Sequence, residues 1–257
     1  MDIPLIKVPQ WEKYHGLLHG FAGRRSGKSV GPYAGLNVSY RVGDDPMVVG
    51  QNICDLKLAA GIHHGRIVTM RQVHGDQIVD VKDKTLKEAG EADGMITDKR
   101  HIFLAVLTAD CVPLLFVAPE RKLAAAVHAG WRGTLAGIVE KTVRVFEHQY
   151  GIAAADLEVA LGPSIESCCY EIQDDVAGPL MKRWGNLMTP SIVVRDGKSW
   201  ISLRRLNRDI LRASGIPRKQ LYELGPCTGC AADDFFSYRR LRSETGRQMS
   251  FIGWLAD

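Results

Sequence analysis

The chain has 257 residues, of which 46% are hydrophobic and 24% are charged, enough apolar surface for one large core in a single domain, 1–257. The net charge of +4 is mild and the basic residues are scattered, apart from a short cluster containing Arg239, Arg240 and Arg242, which argues against a nucleic-acid partner. No uninterrupted apolar run reaches the ~18 residues of a membrane span, and no signal peptide is recognisable, so we expect a cytoplasmic protein without a membrane partner.

Hydrophobic periodicity and turn residues predict strands and helices in alternation along the chain. A helix is expected over 46–60, because Asp45 can cap it, Pro46 suits the first turn and Gly61 ends the pattern. The next predicted elements are strands at 67–70, 77–81, 102–108, 113–117 and 122–127, a helix at 134–150 and a strand at 157–161. Helices at 174–184 and 203–214 and strands at 222–224 and 249–254 complete the series. This order predicts a mixed α/β domain rather than a regular parallel Rossmann sheet.

Six cysteines in a chain without an export signal indicate a reducing compartment, where thiols pack in the core, bind metals or act as nucleophiles. Cys168 and Cys169 are adjacent and therefore poor partners for an ordinary structural disulfide. Cys227 and Cys230 form one CxxC pair without an obvious second pair. The pattern favours reduced loop thiols over a metal knuckle.

Three segments place a histidine or a cysteine where a predicted strand meets a turn, and strand ends are where side chains converge into clefts. They contain His74, Cys111 and His128. Two imidazoles and one thiolate suit Zn²⁺, and three protein ligands leave a fourth position open, which is typical of a catalytic site. A structural alternative stays open, because such a histidine is often only hydrogen-bonded and a lone cysteine often belongs to the core.

The segment HAGWRG, residues 128–133, predicts an anion site at the start of the following helix. Gly130 and Gly133 allow a tight turn, a helix N-terminus offers free N–H groups, and Arg132 adds a fork of donors. Phosphate or a carboxylate would fit such a site. In the alternative interpretation, Trp131 only packs against the helix and Arg132 only forms a salt bridge.

Nine short segments match the sequence motifs of a known family, and they occur along the chain in the same order as in that family. They lie at 35–37, 72–75, 92–98, 108–113, 128–133, 162–165, 168–171, 227–228 and 235–240. With them the chain resembles the laccase-domain family, also called the multicopper polyphenol oxidase or purine nucleoside phosphorylase family. The resemblance implies a single α/β domain, a layered α/β sandwich with mixed β-sheets, and a zinc site with His74, Cys111 and His128 as ligands.

The family names imply two different reactions, copper-dependent oxidation and nucleoside phosphorolysis. The number and spacing of the histidines favour phosphorolysis. A multicopper laccase needs many histidine ligands, whereas this chain has eight histidines and no HxH pair, so copper chemistry is disfavoured. The resemblance instead implies phosphorolysis of adenosine, inosine and methylthioadenosine, with adenosine deamination in some members. It places Asn37 among the substrate-binding residues, and Arg24, Arg132 and Arg239 are candidates for binding phosphate.

Deamination would need a carboxylate to move protons, and Glu171 or Asp110 could serve. Each has a simpler alternative, since Glu171 could merely pair with an arginine and Asp110 could merely fix the turn before Cys111. The glycine-rich segment at 22–29 departs from the family pattern. Arg24 keeps its place there, but the neighbouring differences put the substrate preference in doubt.

Two other functions remain as alternatives, and the first of them uses the same three residues. A cysteine hydrolase would employ Cys111 as nucleophile with His128 or His74 as base, and metal content separates it from the zinc enzyme. A binding or scaffold protein without catalysis fits poorly with so many histidine, cysteine, aspartate and arginine residues at turns. The sequence leaves the oligomeric state open.

Overall fold

A computed structural model describes residues 2–241 and 244–256, which contain fifteen strands and six α-helices. The strands are β1 (Leu5–Ile6), β2 (Leu17–Ala22), β3 (Arg66–Arg71), β4 (Ile78–Asp80), β5 (Glu88–Glu91), β6 (Gly94–Thr97), β7 (Ile102–Thr108), β8 (Val112–Ala118), β9 (Leu123–Ala129), β10 (Glu158–Leu161), β11 (Glu171–Ile172), β12 (Ile192–Arg195), β13 (Lys198–Ile201), β14 (Leu221–Glu223) and β15 (Gln248–Trp254). The helices are α1 (Pro46–Ala59), α2 (Trp131–Ala136), α3 (Ile138–Tyr150), α4 (Asp174–Trp184), α5 (Leu203–Ala213) and α6 (Tyr238–Leu241). Arg242 of the basic cluster lies outside the described residues.

Two six-stranded mixed sheets form the centre of the protein. The first has the order β1-β2-β15-β7-β3-β5 and the second has the order β14-β10-β8-β9-β6-β4. In the first sheet β3 runs parallel to β7 and to β5, and in the second β10 runs parallel to β14 and β4 to β6, while the other neighbours are antiparallel. A small sheet, β11-β13-β12, lies apart from both.

The alternation of side chains along β8 shows how the layers stack. Leu115 and Val117 belong to the cluster between the two sheets, whereas Leu114 and Phe116 face the cluster that helices α3 and α5 cover. On the far side of the first sheet, Leu56 of α1 joins a third cluster. Every residue of β8 is buried because both of its faces are covered. The layers therefore run helix, sheet, sheet, helices, which confirms the layered α/β sandwich with mixed sheets.

Most predicted elements are confirmed, and two boundaries near the candidate ligands are corrected. Helix α1 begins at Pro46, with the Asp45 carboxylate accepting a hydrogen bond from the backbone N–H of Met47 at 2.8 Å. The predicted helix over 134–150 is two helices, α2 and α3, because Gly137 adopts a left-handed φ of 89° between them. Strand β9 continues to Ala129, so His128 lies within the strand and not after it.

The strands that sequence reasoning missed are short or interrupted by polar residues. They are β1, β2, β5, β6, β11, β12 and β13. Strand β5 is mostly exposed, with the sequence EAGE, and has no apolar alternation to signal it. Within the described residues, no helix is long and apolar enough to cross a lipid bilayer.

The buried ring of His19 in β2 is expected to make the stability depend on pH. Its Nε2 accepts a hydrogen bond from the backbone N–H of Val8 at 2.9 Å, and burial, with a smaller contribution from the charge of Lys7, lowers its pKa to about 4. The unfolded chain takes up this proton near pH 6.5, so the stabilisation is present above that pH and is lost between pH 6.5 and 4. Between pH 7 and pH 5 we expect a loss of about 2 kcal/mol from this residue.

Urea unfolding at both pH values measures this contribution. His19→Asn keeps an acceptor for Val8 but cannot bind the proton, so its free energy of unfolding should fall less between pH 7 and 5 than that of the wild type. Equal losses in the two proteins would contradict the assignment to His19.

Candidate metal centre and active site

His74, Cys111 and His128 come together although they lie in three different parts of the chain. His74 follows β3, Cys111 lies in the turn between β7 and β8, and His128 lies in β9. Their ligand atoms all lie within 4.8 Å of one another, and the Cys111 Sγ is 3.9 Å from the His74 Nε2. The two rings pack edge to face with centroids 4.8 Å apart. Two nitrogens and one sulfur at this spacing form a group that can hold a metal ion.

The fully buried carboxylate of Asp93 organises this group. Its Oδ1 is 2.7 Å from the His128 Nδ1 and accepts the backbone N–H of His74 at 3.0 Å, while its Oδ2 accepts those of Val73 at 3.1 Å and Gly75 at 2.7 Å. These bonds hold His74 at a left-handed φ of 60°, which is unfavourable for a residue with a Cβ. Asp93 therefore fixes the orientation of one ring and the backbone of the other.

The turn that carries Cys111 depends on Asp110, which has a left-handed φ of 94°. One carboxylate oxygen accepts the hydroxyl of Thr228 at 2.6 Å, and the other accepts the backbone N–H of Arg239 at 2.7 Å. The carbonyl of Asp110 accepts the N–H of Ile165 at 2.9 Å. Both oxygens are thus engaged in holding the turn, which supports the structural alternative for Asp110.

Gly130 and Gly133 allow close packing, which corrects the tight turn expected for them. Gly130 has the ordinary angles φ −77° and ψ 177°. A Cβ added to Gly130 would lie 3.0 Å from the His74 ring and 3.1 Å from the Cys111 sulfur, and one added to Gly133 would lie 2.9 Å from the carbonyl oxygen of Gly75. The two glycines are needed because the His74 loop and Cys111 approach the backbone here.

The Cys111 thiol and the His128 ring favour each other's charged form. Partial burial raises the pKa of Cys111, but the charges and hydrogen bonds of His128 and His74 outweigh it and lower the pKa to about 6. Burial lowers the pKa of His128, but the Cys111 thiolate and Asp93 raise it to about 9. A thiolate is thereby available at neutral pH, the form in which cysteine binds metals.

The cluster lies in the wall of a cavity of about 1620 Å³. Three of the predicted substrate-binding residues, Arg132, Glu171 and Arg239, line the same cavity. The guanidinium of Arg132 stacks on the Trp131 ring at 4.3 Å, and Glu171 pairs with Lys198 at 3.1 Å. Arg132 therefore makes the Trp131 contact and faces the cavity as well.

Arg24 and Asn37, the other two predicted residues, do not line this cavity. The Arg24 guanidinium donates to the carbonyl oxygen of Ala34 at 2.7 and 3.1 Å and to that of Ala232 at 3.1 Å. Asn37 is fully buried, and its Oδ1 accepts the backbone N–H of Arg247 at 2.9 Å. Both side chains instead hold loops together through these hydrogen bonds.

Sequence reasoning missed Arg247 and Tyr170 as cavity residues. Arg247 lies close enough to Cys111 and Asp110 for their charges to raise its pKa, although burial has the larger, opposite effect and lowers it. Burial raises the pKa of Tyr170 to about 12, with the charge of Cys111 adding to it, so its hydroxyl stays protonated at neutral pH. Tyr170 lies in the motif at 168–171 and could have been found there, whereas Arg247 follows a single glycine and carries no local signal.

Comparison with known proteins assigns the chain to a family. The profile described as Multi-copper polyphenol oxidoreductase laccase matches residues 18–255. A protein of Geobacillus stearothermophilus named Purine nucleoside phosphorylase YlmD is 36% identical over 252 residues, covering 93% of this chain and 91% of that protein. A protein of an unknown prokaryotic organism named Adenosine deaminase RL5 is 34% identical, covering 86% and 87%.

A solved structure supports the same grouping. The crystal structure of YlmD from Geobacillus stearothermophilus matches with a TM-score of 0.89 at 35% identity and covers 95% of this chain and 93% of that one. The fold, the ordered motifs and the extent of the sequence match agree. The chain therefore belongs to the multicopper polyphenol oxidoreductase laccase family.

Proposed function

We propose that this protein is a zinc-dependent purine nucleoside phosphorylase that acts on adenosine, inosine and methylthioadenosine. The observation that carries the proposal is the meeting, in one cavity of about 1620 Å³, of the His74, Cys111 and His128 cluster with the side chains of Arg132 and Arg239. Phosphorolysis needs an anion held beside the sugar and a polarised nucleoside, and these two features supply groups for both. The similarity to a protein named purine nucleoside phosphorylase supports this assignment.

The cavity offers contacts for each part of the substrates. The guanidinium groups of Arg132, Arg239 and Arg247 can donate charge-assisted hydrogen bonds to phosphate. Trp131 and Tyr170 present aromatic surface on which a purine can stack. The Tyr170 hydroxyl, protonated at neutral pH, can donate a hydrogen bond to a ring nitrogen or to a sugar oxygen.

The donor set fits zinc. His74 and His128 provide nitrogen, Cys111 provides a thiolate, and Asp93 lies behind His128 as the second hydrogen-bond partner that metal-bound histidines commonly have. Bound zinc would supply a Lewis acid and lower the pKa of a bound water to about 7. None of the six cysteines forms a disulfide, which is typical of proteins of the cytoplasm, the location that we propose.

Neutralising Arg132 or Arg239 is expected to weaken phosphate binding. Each of Arg132→Gln and Arg239→Gln removes a charged donor, and we expect the KM for phosphate to rise about 10- to 100-fold. Steady-state kinetics at saturating inosine measure this. Arg121→Gln, an exposed arginine outside the cavity, is the control and should leave this KM unchanged. Unchanged phosphate KM values in both cavity variants would contradict the assignment.

The proposal is tested by incubating the zinc-loaded protein with inosine and adenosine, with and without phosphate, and separating the products by chromatography. Free base and ribose 1-phosphate that form only with phosphate, and disappear in His74→Ala, are the expected result. Nucleosides that stay intact in the zinc-loaded wild type would refute the proposal.

Adenosine deamination is a second candidate activity of the same site. It is favoured by the relative named Adenosine deaminase RL5 and by the carboxylate of Glu171 in the cavity wall. A carboxylate that is not a metal ligand can move the protons in such a reaction. Inosine that forms from adenosine without phosphate, and no longer forms in Glu171→Gln, would establish it.

A cysteine hydrolase is a rival function, and the hydrogen bond between Asp93 and His128 is compatible with it. In space, the His128 ring lies between Asp93 and Cys111, as the base lies between the acid and the nucleophile of a catalytic triad. The Asp93 and His128 side chains are 2.7 Å apart. His74 beside Cys111 instead completes a three-ligand set, which supports the metal site. A metal-free protein that hydrolyses an acyl substrate, and loses that activity on alkylation of Cys111, would favour the hydrolase.

A further inference from the structure

Four cysteines from two separate loops meet beside residues that hold the Cys111 turn. Cys168 and Cys169 precede β11, and Cys227 and Cys230 lie in the loop after β14. The four sulfurs all lie within 4.8 Å of one another, and the Cys230 Sγ is 3.4 Å from those of both Cys168 and Cys169. The sequence favoured reduced loop thiols for the CxxC pair because no second pair was recognisable. The fold supplies that second pair from the adjacent cysteines.

We propose that Cys168, Cys169, Cys227 and Cys230 bind a second metal ion, a structural zinc. This site is separate from the cluster of His74, Cys111 and His128. Zinc with four thiolates is tetrahedral with Zn–S bonds of about 2.3 Å, which places the sulfurs about 3.8 Å apart. The spacing of the four sulfurs brackets this value. As the ion binds, each sulfur forms one bond to it and each thiol proton passes to solvent.

The surroundings suit a thiolate-bound ion, whose four sulfurs leave a net charge of −2 with Zn²⁺. The backbone N–H of Glu166 donates to the Cys227 Sγ at 3.3 Å. Arg240 lies beside the loop, with its guanidinium donating to the carbonyl oxygen of Gly229 at 2.9 Å. A Cβ on Gly229 would lie 2.9 Å from the Cβ of Cys169 and 3.1 Å from its sulfur, so glycine is needed for the loops to approach. Hydrogen-bond donors and a cation around the sulfurs stabilise the charged form.

Four protein ligands leave no open position, so the ion would act on structure and not on substrate. The two loops that the ion would join support the turn that carries Asp110 and Cys111. Thr228, next to Cys227, donates its hydroxyl to Asp110, and Ile165, a few residues before Cys168, donates its N–H to the Asp110 carbonyl. Cys169 itself lies in the cavity wall. The second zinc would therefore hold the wall of the cavity and the turn before Cys111 in place.

Alkylation of the wild-type protein tests the site without relying on a variant. Zinc-loaded protein is treated with iodoacetamide with and without a chelator, and the modified cysteines are identified by mass spectrometry. We expect the four cluster cysteines to be protected until the chelator is added, while exposed Cys54 is labelled in both samples. Full labelling of Cys168 and Cys230 before the chelator would overturn the proposal. So would a disulfide among the four, recognised by the loss of two hydrogens.

Zinc content then assigns each ion to its site. The wild type should hold about two zinc ions per chain, and Cys230→Ser and His128→Ala about one each. Cys54→Ser is the matched control and should keep both. Because His128→Ala disrupts only the site of His74, Cys111 and His128, its remaining zinc reports on the cysteine cluster even if the proposed phosphorolysis is wrong. A Cys230→Ser protein with the zinc content of the wild type, or iron in place of zinc, would overturn the proposal.

Discussion

Replacement of His128 by alanine is expected to lower kcat/KM for inosine phosphorolysis about 1,000-fold or more. His128 is 3% exposed, and its ring lies between the Asp93 carboxylate and the Cys111 sulfur. Its removal leaves two ligands for zinc, too few to hold the ion, and leaves Asp93 buried without its charged partner. Kinetics with inosine and phosphate, together with zinc analysis of the same preparation, measure both effects.

His148→Ala is the matched control for this change. His148 is exposed in the last turn of α3, so its loss should leave turnover and zinc content unchanged. A His128→Ala protein that keeps the full zinc content of the wild type, or that turns over inosine within about tenfold of the wild type, would show that His128 is not a metal ligand of the reaction.

The second large effect is expected from Asp93→Asn, which alters no ligand atom. The two oxygens of Asp93 face four donors. These are the His128 Nδ1 and three backbone N–H groups, those of Val73, His74 and Gly75. Asparagine offers one acceptor oxygen and turns an NH₂ group towards the remaining donors. We expect the free energy of unfolding to fall by about 3–5 kcal/mol and zinc to bind about 10- to 100-fold more weakly.

Asp76→Asn makes the same chemical change next to Gly75, outside the hydrogen bonds of Asp93, and is the control. Asp76 is half-exposed and pairs with Lys141 at 3.1 Å, so its loss should change stability by less than about 1 kcal/mol. Urea unfolding and a competitive zinc titration distinguish the two variants. Equal stability and equal zinc affinity in Asp93→Asn and Asp76→Asn would refute the organising role of Asp93.

Elements with strong local signals could be predicted from the sequence alone. Strand β7 has the predicted bounds, and α1 begins at Pro46 after the predicted Asp45 cap, because apolar periodicity and capping residues act over a few neighbouring positions. The motifs also predicted His74, Cys111 and His128 as one group, and the structure brings them together. These inferences needed only residue types and their order.

Which polar residues face the cavity depends on how the chain folds. Arg24 has the same charge as Arg132 and lies in an equally distinctive segment, yet its donors are engaged by backbone carbonyls that only the folded chain brings near. Arg247 reaches the cavity from a segment without a motif. Which way a long side chain points depends on contacts between distant residues, and residue type alone does not encode them.

The same reason explains two groups of interacting side chains that the sequence did not reveal. Asp93 acts through donors about twenty residues before it and a ring more than thirty residues after it. Cys168 and Cys230 are separated by 62 residues and touch because two loops end on one side of the Cys111 turn. Local patterns determined the strands, the helices and the three metal-ligand candidates. Long-range packing of the two sheets decided how those residues are held and what surrounds them, because hydrogen bonds and metal ligands depend on distances in space and not on distances along the chain.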